Sequence, residues 1–358
     1  MSQKRNWTGD VLQKLDAIKR SVTHARRLGA NNGNVIAHPE FIQYPEGNRK
    51  NHFQGIQRHG KYLFLSAGVA PRSKNSPGSR LIVVEMGTRS PKESWSWPSY
   101  QLEDSPYDFR YPDPRDRIVK VVTIDVNLWH AGGLQLMGTI LAVPIYGKLP
   151  QAKKASSQVR FYDISAPTKP KEIKALRIDN RRTRKAYAVG LSTLPGGRKV
   201  AIVWDDKTLD FYLTTSATSK TWQRISQVRG ESIPKFPQNK HSQYQCLNLI
   251  RDTISGDLYL IGFRNSNPLS PVIEGKNYAD IYRVVLDPQD PPTDTNAGQM
   301  IQKVKGLHFK GDDSYCSFNA GGGLHITPGG NIFVYGTPHW LHNDNARCNF
   351  IEFTSDQP

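Results

Sequence analysis

Residues 129–147, WHAGGLQLMGTILAVPIYG, pass from a glycine-rich stretch through a turn into a strongly apolar one. Four other segments repeat that arrangement: NHFQGIQRHGKYLFLSAG (51–68), AYAVGLSTLPGGRKVAIVWDD (186–206), YQCLNLIRDTISGDLYLIGFRN (244–265) and NAGGGLHITPGGNIFVYGTPHW (319–340). Ile56, Leu134, Leu191, Leu249 and Leu324 align as one apolar anchor, spaced by 78, 57, 58 and 75 residues. Periods of this length fit a four-stranded propeller blade with variable loops.

Between anchors two more strands can be read each time: RLIVVEMG and RIVKVVTIDV, QVRFYDIS and EIKALRI, TLDFYLTT and WQRISQVR, ADIYRVVL and MIQKVKGLHF. Each alternates β-branched or aromatic residues with polar ones, the period of a strand. The fifth blade has only three strands before the chain stops, the last being RCNFIEFT (347–354). The spare strand NVIAHPEFIQY (34–44) is expected to dock beside residues 349–354 and close the ring, which would remove two open sheet edges. Residues 7–27 carry Trp7, Val11, Leu15, Ile18 and Val22 near helical spacing and predict a helix lying on the propeller. The reading is therefore an all-β, five-bladed β-propeller over 34–358, preceded by a helical extension over 1–33.

Composition agrees with many short strands and tight turns: 29 glycines, 24 prolines, 7 Trp, 15 Tyr and 13 Phe in 358 residues. No apolar run approaches the roughly 18 residues of a membrane span, so a soluble chain is expected. The N-terminus lacks the apolar core of a secretory signal, which leaves a cytoplasmic protein or a mature exported form equally open. A formal charge of +17, from 48 Lys and Arg against 31 Asp and Glu, favours anionic partners. Nucleic acid is compatible with that charge but not favoured, because no RNP, zinc-finger or helix-turn-helix signature accompanies it. A monomer is expected.

In a propeller the innermost strands line the axis, and their starts share one face with the loops that follow the second strands. That face receives Arg49, Lys50 and His52 from the first blade and Trp129 with His130 from the second. The third blade adds Arg182, Arg184, Lys185 and Tyr187; the fourth adds Tyr244, Gln245 and Arg264; the fifth adds Asn319 and Trp340. Positive charge predominates, which points to an anionic small molecule or acidic glycan, with Arg and Lys bonding its charged groups and the aromatics stacking. His52 and His130 stand in one register, with Tyr187 and Gln245 at the equivalent positions of the next blades. These two imidazoles, with Tyr187, are also the candidate catalytic set for a hydrolase or lyase, and His52 with His130 could hold one divalent metal ion in the central channel. His339 and His342 form a weaker metal pair.

Several motifs fail. Gly321, Gly322 and Gly323 are followed by Leu-His rather than Lys-Ser/Thr, so they are read as relieving crowding at the axis instead of cradling phosphate. Asp294-Thr-Asn296-Ala-Gly298 lacks the closing glutamate of a calcium loop and reads as a turn. Cys246 and Cys316 fall near neighbouring inner strands, where a buried thiol pair or a disulfide is expected rather than a nucleophile.

The fivefold repetition and closure by an N-terminal strand resemble five-bladed propellers as an architectural group, which includes glycosidases of the arabinanase and invertase type, calcium-dependent apyrase and tachylectin-like lectins. The phrases HAGGLQLMGTILAVPIY and VRFYDISAPTKP look most like uncharacterised bacterial propeller proteins, often exported. The glycosidase resemblance implies acidic residues near the starts of the inner strands, whereas this chain has His, His, Tyr, Gln and Ala there. The leading expectation is thus a lectin-like or scaffold ligand-binding propeller, with the hydrolase or lyase as the alternative.

Overall fold

The computed structural model describes residues 7–21, 24–28, 52–68, 78–86, 117–148, 155–180, 185–237, 244–266, 276–310, 317–327, 329–337 and 348–355. The chain begins with β1 (Trp7–Thr8), a short helix α1 (Val11–Ala17) and β2 (His24–Leu28). Blade 1 follows as β3 (His52–His59), β4 (Tyr62–Gly68), β5 (Ser79–Glu85) and β6 (Arg117–Asp125). In blade 2 the inner position is shared by β7 (His130–Ala131) and β8 (Gln135–Met137), followed by β9 (Ile140–Lys148) and β10 (Ala155–Asp163). Its outer position is split between β11 (Lys171–Glu172) and β12 (Ile178–Asn180), with a 3₁₀ turn at Lys174–Leu176 between them. Blade 3 is β13 (Ala188–Thr193), β14 (Lys199–Trp204), β15 (Thr208–Thr214) and β16 (Trp222–Arg229). Blade 4 is β17 (Cys246–Asp252), β18 (Leu258–Asn265), β19 (Asn277–Val284) and β20 (Ile301–Phe309). Blade 5 is β21 (Ser317–Ile326), β22 (Ile332–Thr337), β23 (Cys348–Phe353) and, outermost, β2.

Each blade is antiparallel, and alternation along a strand sends successive side chains into the joints on either side. In β4, Leu63 and Leu65 pack towards blade 5 while Phe64 packs towards blade 2. The buried apolar side chains accordingly fall into five clusters, one in each joint, and the cluster joining Phe53, Ile56 and Leu65 to Phe333 and Tyr335 closes the ring between blades 1 and 5. The protein is a five-bladed β-propeller.

The N-terminal segment closes this ring, but differently from the expectation. The outer strand of blade 5 is His24–Leu28, antiparallel to β23 with Arg26 opposite Phe350, rather than residues 34–44, which lie outside the described residues. The helix expected over 7–27 is confined to Val11–Ala17. Beyond it the backbone finds partners on the blades instead of on itself: Lys19 N–H bonds the Thr354 carbonyl at 3.0 Å, and Lys310 N–H bonds the Arg20 carbonyl at 2.6 Å. Strand pairing at an open edge satisfies each polar backbone group, so it overrides a helical spacing of side chains. Before the helix, β1 pairs in parallel with the end of β17, and the Val11 N–H bonds the Asp252 carboxylate at 2.9 Å. Val11, Leu15 and Ile18 then fill the joint between blades 4 and 5. No helix among the described residues is long and apolar enough to cross a membrane.

Candidate functional site

The inner strands of blades 1 to 4 begin at one height, against the ends of their second strands. His52 is opposite Gly68, His130 is opposite Tyr146, Tyr187 N–H bonds the Trp204 carbonyl at 2.8 Å and Gln245 N–H bonds the Phe263 carbonyl at 3.0 Å. The shared register read from the sequence therefore places these four residues on one face, called upper here. Arg49, Lys50, Arg182, Arg184 and Trp340 lie outside the described residues, as do His339, His342 and Cys316, and so do the side chains of His52 and Asn319.

Below that face, side-chain amides bridge the inner strands of different blades. The Gln57 side chain of blade 1 donates to Asn248 Oδ1 of blade 4 at 2.9 Å, crossing the centre. Gln135 of blade 2 donates to the Leu249 carbonyl at 3.0 Å and accepts from the Leu249 N–H at 2.8 Å. Such approaches need bare backbone: a Cβ at Gly133 would lie 2.6 Å from the Cys246 Cα, and one at Gly323 would collide with the Ile56 carbonyl oxygen. Cys246 is a free, fully buried thiol rather than half of a bridge. Its sulfur donates to the Gln54 carbonyl at 2.8 Å, and burial pushes its pKa up to about 12, which disfavours the nucleophilic thiolate. Among the described residues, the centre thus offers amides and a neutral thiol.

Among the described residues, the aromatic and charged groups of the upper face gather at the joint between blades 2 and 3. His130 stacks on Tyr146 with ring centroids 4.2 Å apart, while Trp129 meets His130 edge-on at 5.1 Å and Tyr187 meets Tyr146 at 5.0 Å. Trp129 and Tyr187 are half-buried, whereas His130 and Tyr146 are buried. Lys185 Nζ donates to the Tyr187 hydroxyl at 2.7 Å and to Asp206 Oδ2 at 3.1 Å. Burial works against the Lys185 ammonium, yet these two bonds more than offset it, and its pKa is raised. Burial, followed by the neighbouring Tyr187, drives the Tyr146 phenol well above its ordinary value. The arrangement is an aromatic floor with an ammonium fixed at its edge. Tyr146, Asp206 and the backbone of Trp204 were not among the residues singled out from the sequence; Tyr146 and Asp206 sit at the ends of second strands, opposite the inner-strand starts, and could have been found by that pairing.

Two expected members of the upper face are committed elsewhere. Tyr244 is 1% exposed, and its hydroxyl bonds Asp280 Oδ2 at 2.9 Å and the Tyr282 hydroxyl at 2.8 Å, so it is part of the wall between blades 3 and 4 and offers no stacking surface. Arg264 donates to the same Asp280 oxygen at 2.7 Å and lies over the Tyr278 ring, away from the axis towards the outer strands. Gln245 is placed by its backbone at the start of β17 and is half-buried. Among the described residues no group of three or more His, Cys, Asp or Glu side chains could hold a metal ion.

No family model matches the chain. No curated protein matches its sequence either. Among solved structures, it is similar to an endo-arabinase from Bacteroides thetaiotaomicron, with 8% identity, a TM-score of 0.44 and coverage of 87% of this chain and 95% of that one. It is similar to the catalytic domain of an α-L-arabinofuranosidase from Coprinopsis cinerea, with 9% identity, a TM-score of 0.44, and 94% and 98% coverage. A sucrose-6-phosphate hydrolase from Lactobacillus gasseri gives 12% identity and a TM-score of 0.46, covering 84% of this chain and 57% of that one. At such identities the likeness concerns architecture and carries no chemistry to this chain.

Proposed function

We propose that this propeller is a ligand-binding protein whose upper face, at the joint of blades 2 and 3, takes an acidic glycan. The carrying observation is the half-buried pair Trp129 and Tyr187, packed on the buried His130 and Tyr146, with Lys185 held at its edge. A sugar ring covers an aromatic face well. An ammonium has three donors, of which Lys185 uses two, on Tyr187 and Asp206; the third has no partner among the described residues and suits a carboxylate. The chain's charge of +17 would raise the local concentration of such a ligand.

The alternative, a hydrolase or lyase working through His52, His130 and Tyr187 with or without a metal, has less to support it. Glycoside hydrolysis needs a pair of carboxyl groups flanking the bond, and the inner strands meet at the axis through Gln57, Gln135 and Asn248. His130 is packed against a tyrosine ring and only 7% exposed. Calorimetric titration with galacturonic acid oligomers and their neutral galactose counterparts tests the reading. Saturable binding of the acidic oligomer, weakened by salt and by both Lys185→Ala and Tyr187→Ala, is the expected result. Equal binding of neutral and acidic oligomers, or binding indifferent to both substitutions, overturns it.

A further inference from the structure

The outer half of blade 4 carries a second cluster of basic and aromatic groups, set in rows by sheet register. Arg264 of β18 is opposite Tyr278 of β19, which is opposite His308 of β20. The guanidinium lies 4.4 Å over the Tyr278 ring, and the Tyr278 and His308 rings are 5.4 Å apart. Side chains two residues apart return to the same sheet face. Lys276, two before Tyr278, and Lys310, two after His308, therefore extend this row on the same face, and the pairing persists there through the Ser266 N–H to Lys276 carbonyl bond at 2.9 Å. His308, Lys276 and Lys310 are exposed.

Among the described residues, the carboxylate on this face, Asp280, is already spent. Asp280 is 1% exposed; one oxygen takes Arg264 and Tyr244, and the other takes Lys303 at 2.7 Å. Lys276 and Lys310 have no carboxylate partner among the described residues. Two lysines held on one face beside an imidazole, with no ion-pair partner among the described residues, form a site of concentrated positive potential.

We propose that this face of blade 4 is an oxyanion site in which Lys276, His308 and Lys310 hold the sulfate or phosphate group of a ligand beside the Arg264–Tyr278 stack, and that it tightens as His308 gains a proton. Among the described residues, the groups facing His308 are Arg264 from β18, Tyr278 and the buried Asp280 from β19 with Lys276 just before it, and Lys303 and Lys310 from β20 and its end. Tyr244 and Tyr282 stand behind Asp280, and Arg20 lies against Phe309. Burial, then Lys276 and Lys310, hold the imidazole below its ordinary pKa, so it is neutral near pH 7 when the site is empty. A bound dianion reverses the balance, and by linkage the ligand binds more tightly in acid. The site is separate from the upper face of blades 2 and 3 and does not rest on the reading made there.

Inorganic sulfate is the probe, because its charge stays constant across the range in which His308 titrates. The His308 ring resonances, followed by NMR over that range with and without sulfate, should report a pKa raised by about half a unit, matched by about a threefold gain in affinity from neutral to acid. The doubly substituted Lys276→Ala, Lys310→Ala protein should lose saturable binding, while His308→Gln should bind sulfate without pH dependence. A His308 pKa indifferent to sulfate, or equal affinity in the double variant, overturns the proposal. Competition by a sugar sulfate but not the matching sugar phosphate, or the reverse, identifies the ligand's source; competition by neither counts against the site.

Discussion

The joint between blades 5 and 1 and the joint between blades 2 and 3 are built on the same pairing of sheets, yet they end differently. At the first, Arg58 and Glu352 meet at 3.5 Å with side chains 1% and 0% exposed, and Arg58 also bonds the Tyr335 hydroxyl at 3.3 Å. At the second, Lys185 and Asp206 meet at 3.1 Å with side chains 36% and 24% exposed, beside half-buried aromatics. Both place a cation against a carboxylate, the first between blades 1 and 5 and the second within blade 3, where β13 begins and β14 ends. Desolvation separates them: the charges of the closing joint have no water to turn to, whereas those at the upper face can exchange partners with a ligand. The first arrangement suits a seam and the second a site.

The largest break in that comparison comes from removing the N-terminal strap. A chain beginning at Gly33 would lack β1, α1 and β2, leaving β23 as a bare edge and uncovering the blade 4–5 cluster where Val11, Leu15 and Ile18 pack. It should aggregate or elute as oligomers in size-exclusion chromatography; a monomer with an unchanged melting temperature would refute the closure. Next in size is Glu352→Gln, which removes the negative charge facing the buried Arg58 guanidinium. It should cost about 3–5 kcal/mol in urea denaturation, whereas the same exchange of Asp206 should cost no more than about 1 kcal/mol.

A smaller effect sharpens how the strap is held. Asp252 accepts the N–H groups of Val11, Ile254 and Ser255, and although burial alone would raise its carboxyl pKa, these bonds lower it below the ordinary value. A carboxyl whose folded pKa is depressed contributes stability that is present above the unfolded value and lost as pH falls through the folded one. The melting temperature should therefore drop as pH is lowered past the ordinary Asp range, and Asp252→Asn should flatten that dependence; an identical acid profile in the variant would show that the strap is anchored elsewhere. The smallest effect is Tyr187→Phe, which deletes the hydroxyl that accepts from Lys185. Stability should change by about 1 kcal/mol or less, while affinity for an acidic oligosaccharide should fall several-fold as Lys185 loses its orientation. Unchanged affinity would place the ligand elsewhere on the upper face.

Much of the architecture was legible because it is local. Alternation in YLFLSAG and KVAIVWDD, glycine at the axial positions of GGGLHIT, and the turn at Asp294, where the Thr293 N–H bonds Asn296 Oδ1, depend on neighbours a few residues away or on sterics every inner strand shares. The candidate site was legible only in part. The register that aligns His52, His130, Tyr187 and Gln245 could be counted, but whether a residue there faces solvent could not. Tyr187 and Tyr244 occupy similar places before an inner strand, and the sequence offers no reason for one to edge the upper face while the other is sealed onto Asp280.

The sequence by itself determined five blades, their strand order and the face on which the inner strands begin, since apolar alternation and repeat spacing encode which side of each strand is buried. Only the tertiary structure decided that residues 24–28 rather than 34–44 complete blade 5, that the helix ends at Ala17, and that amides from three blades bridge the inner strands. Those outcomes turn on contacts between residues far apart in the chain, where an open edge and its unpaired N–H and C=O groups select the segment that satisfies them, whatever periodicity that segment carries alone.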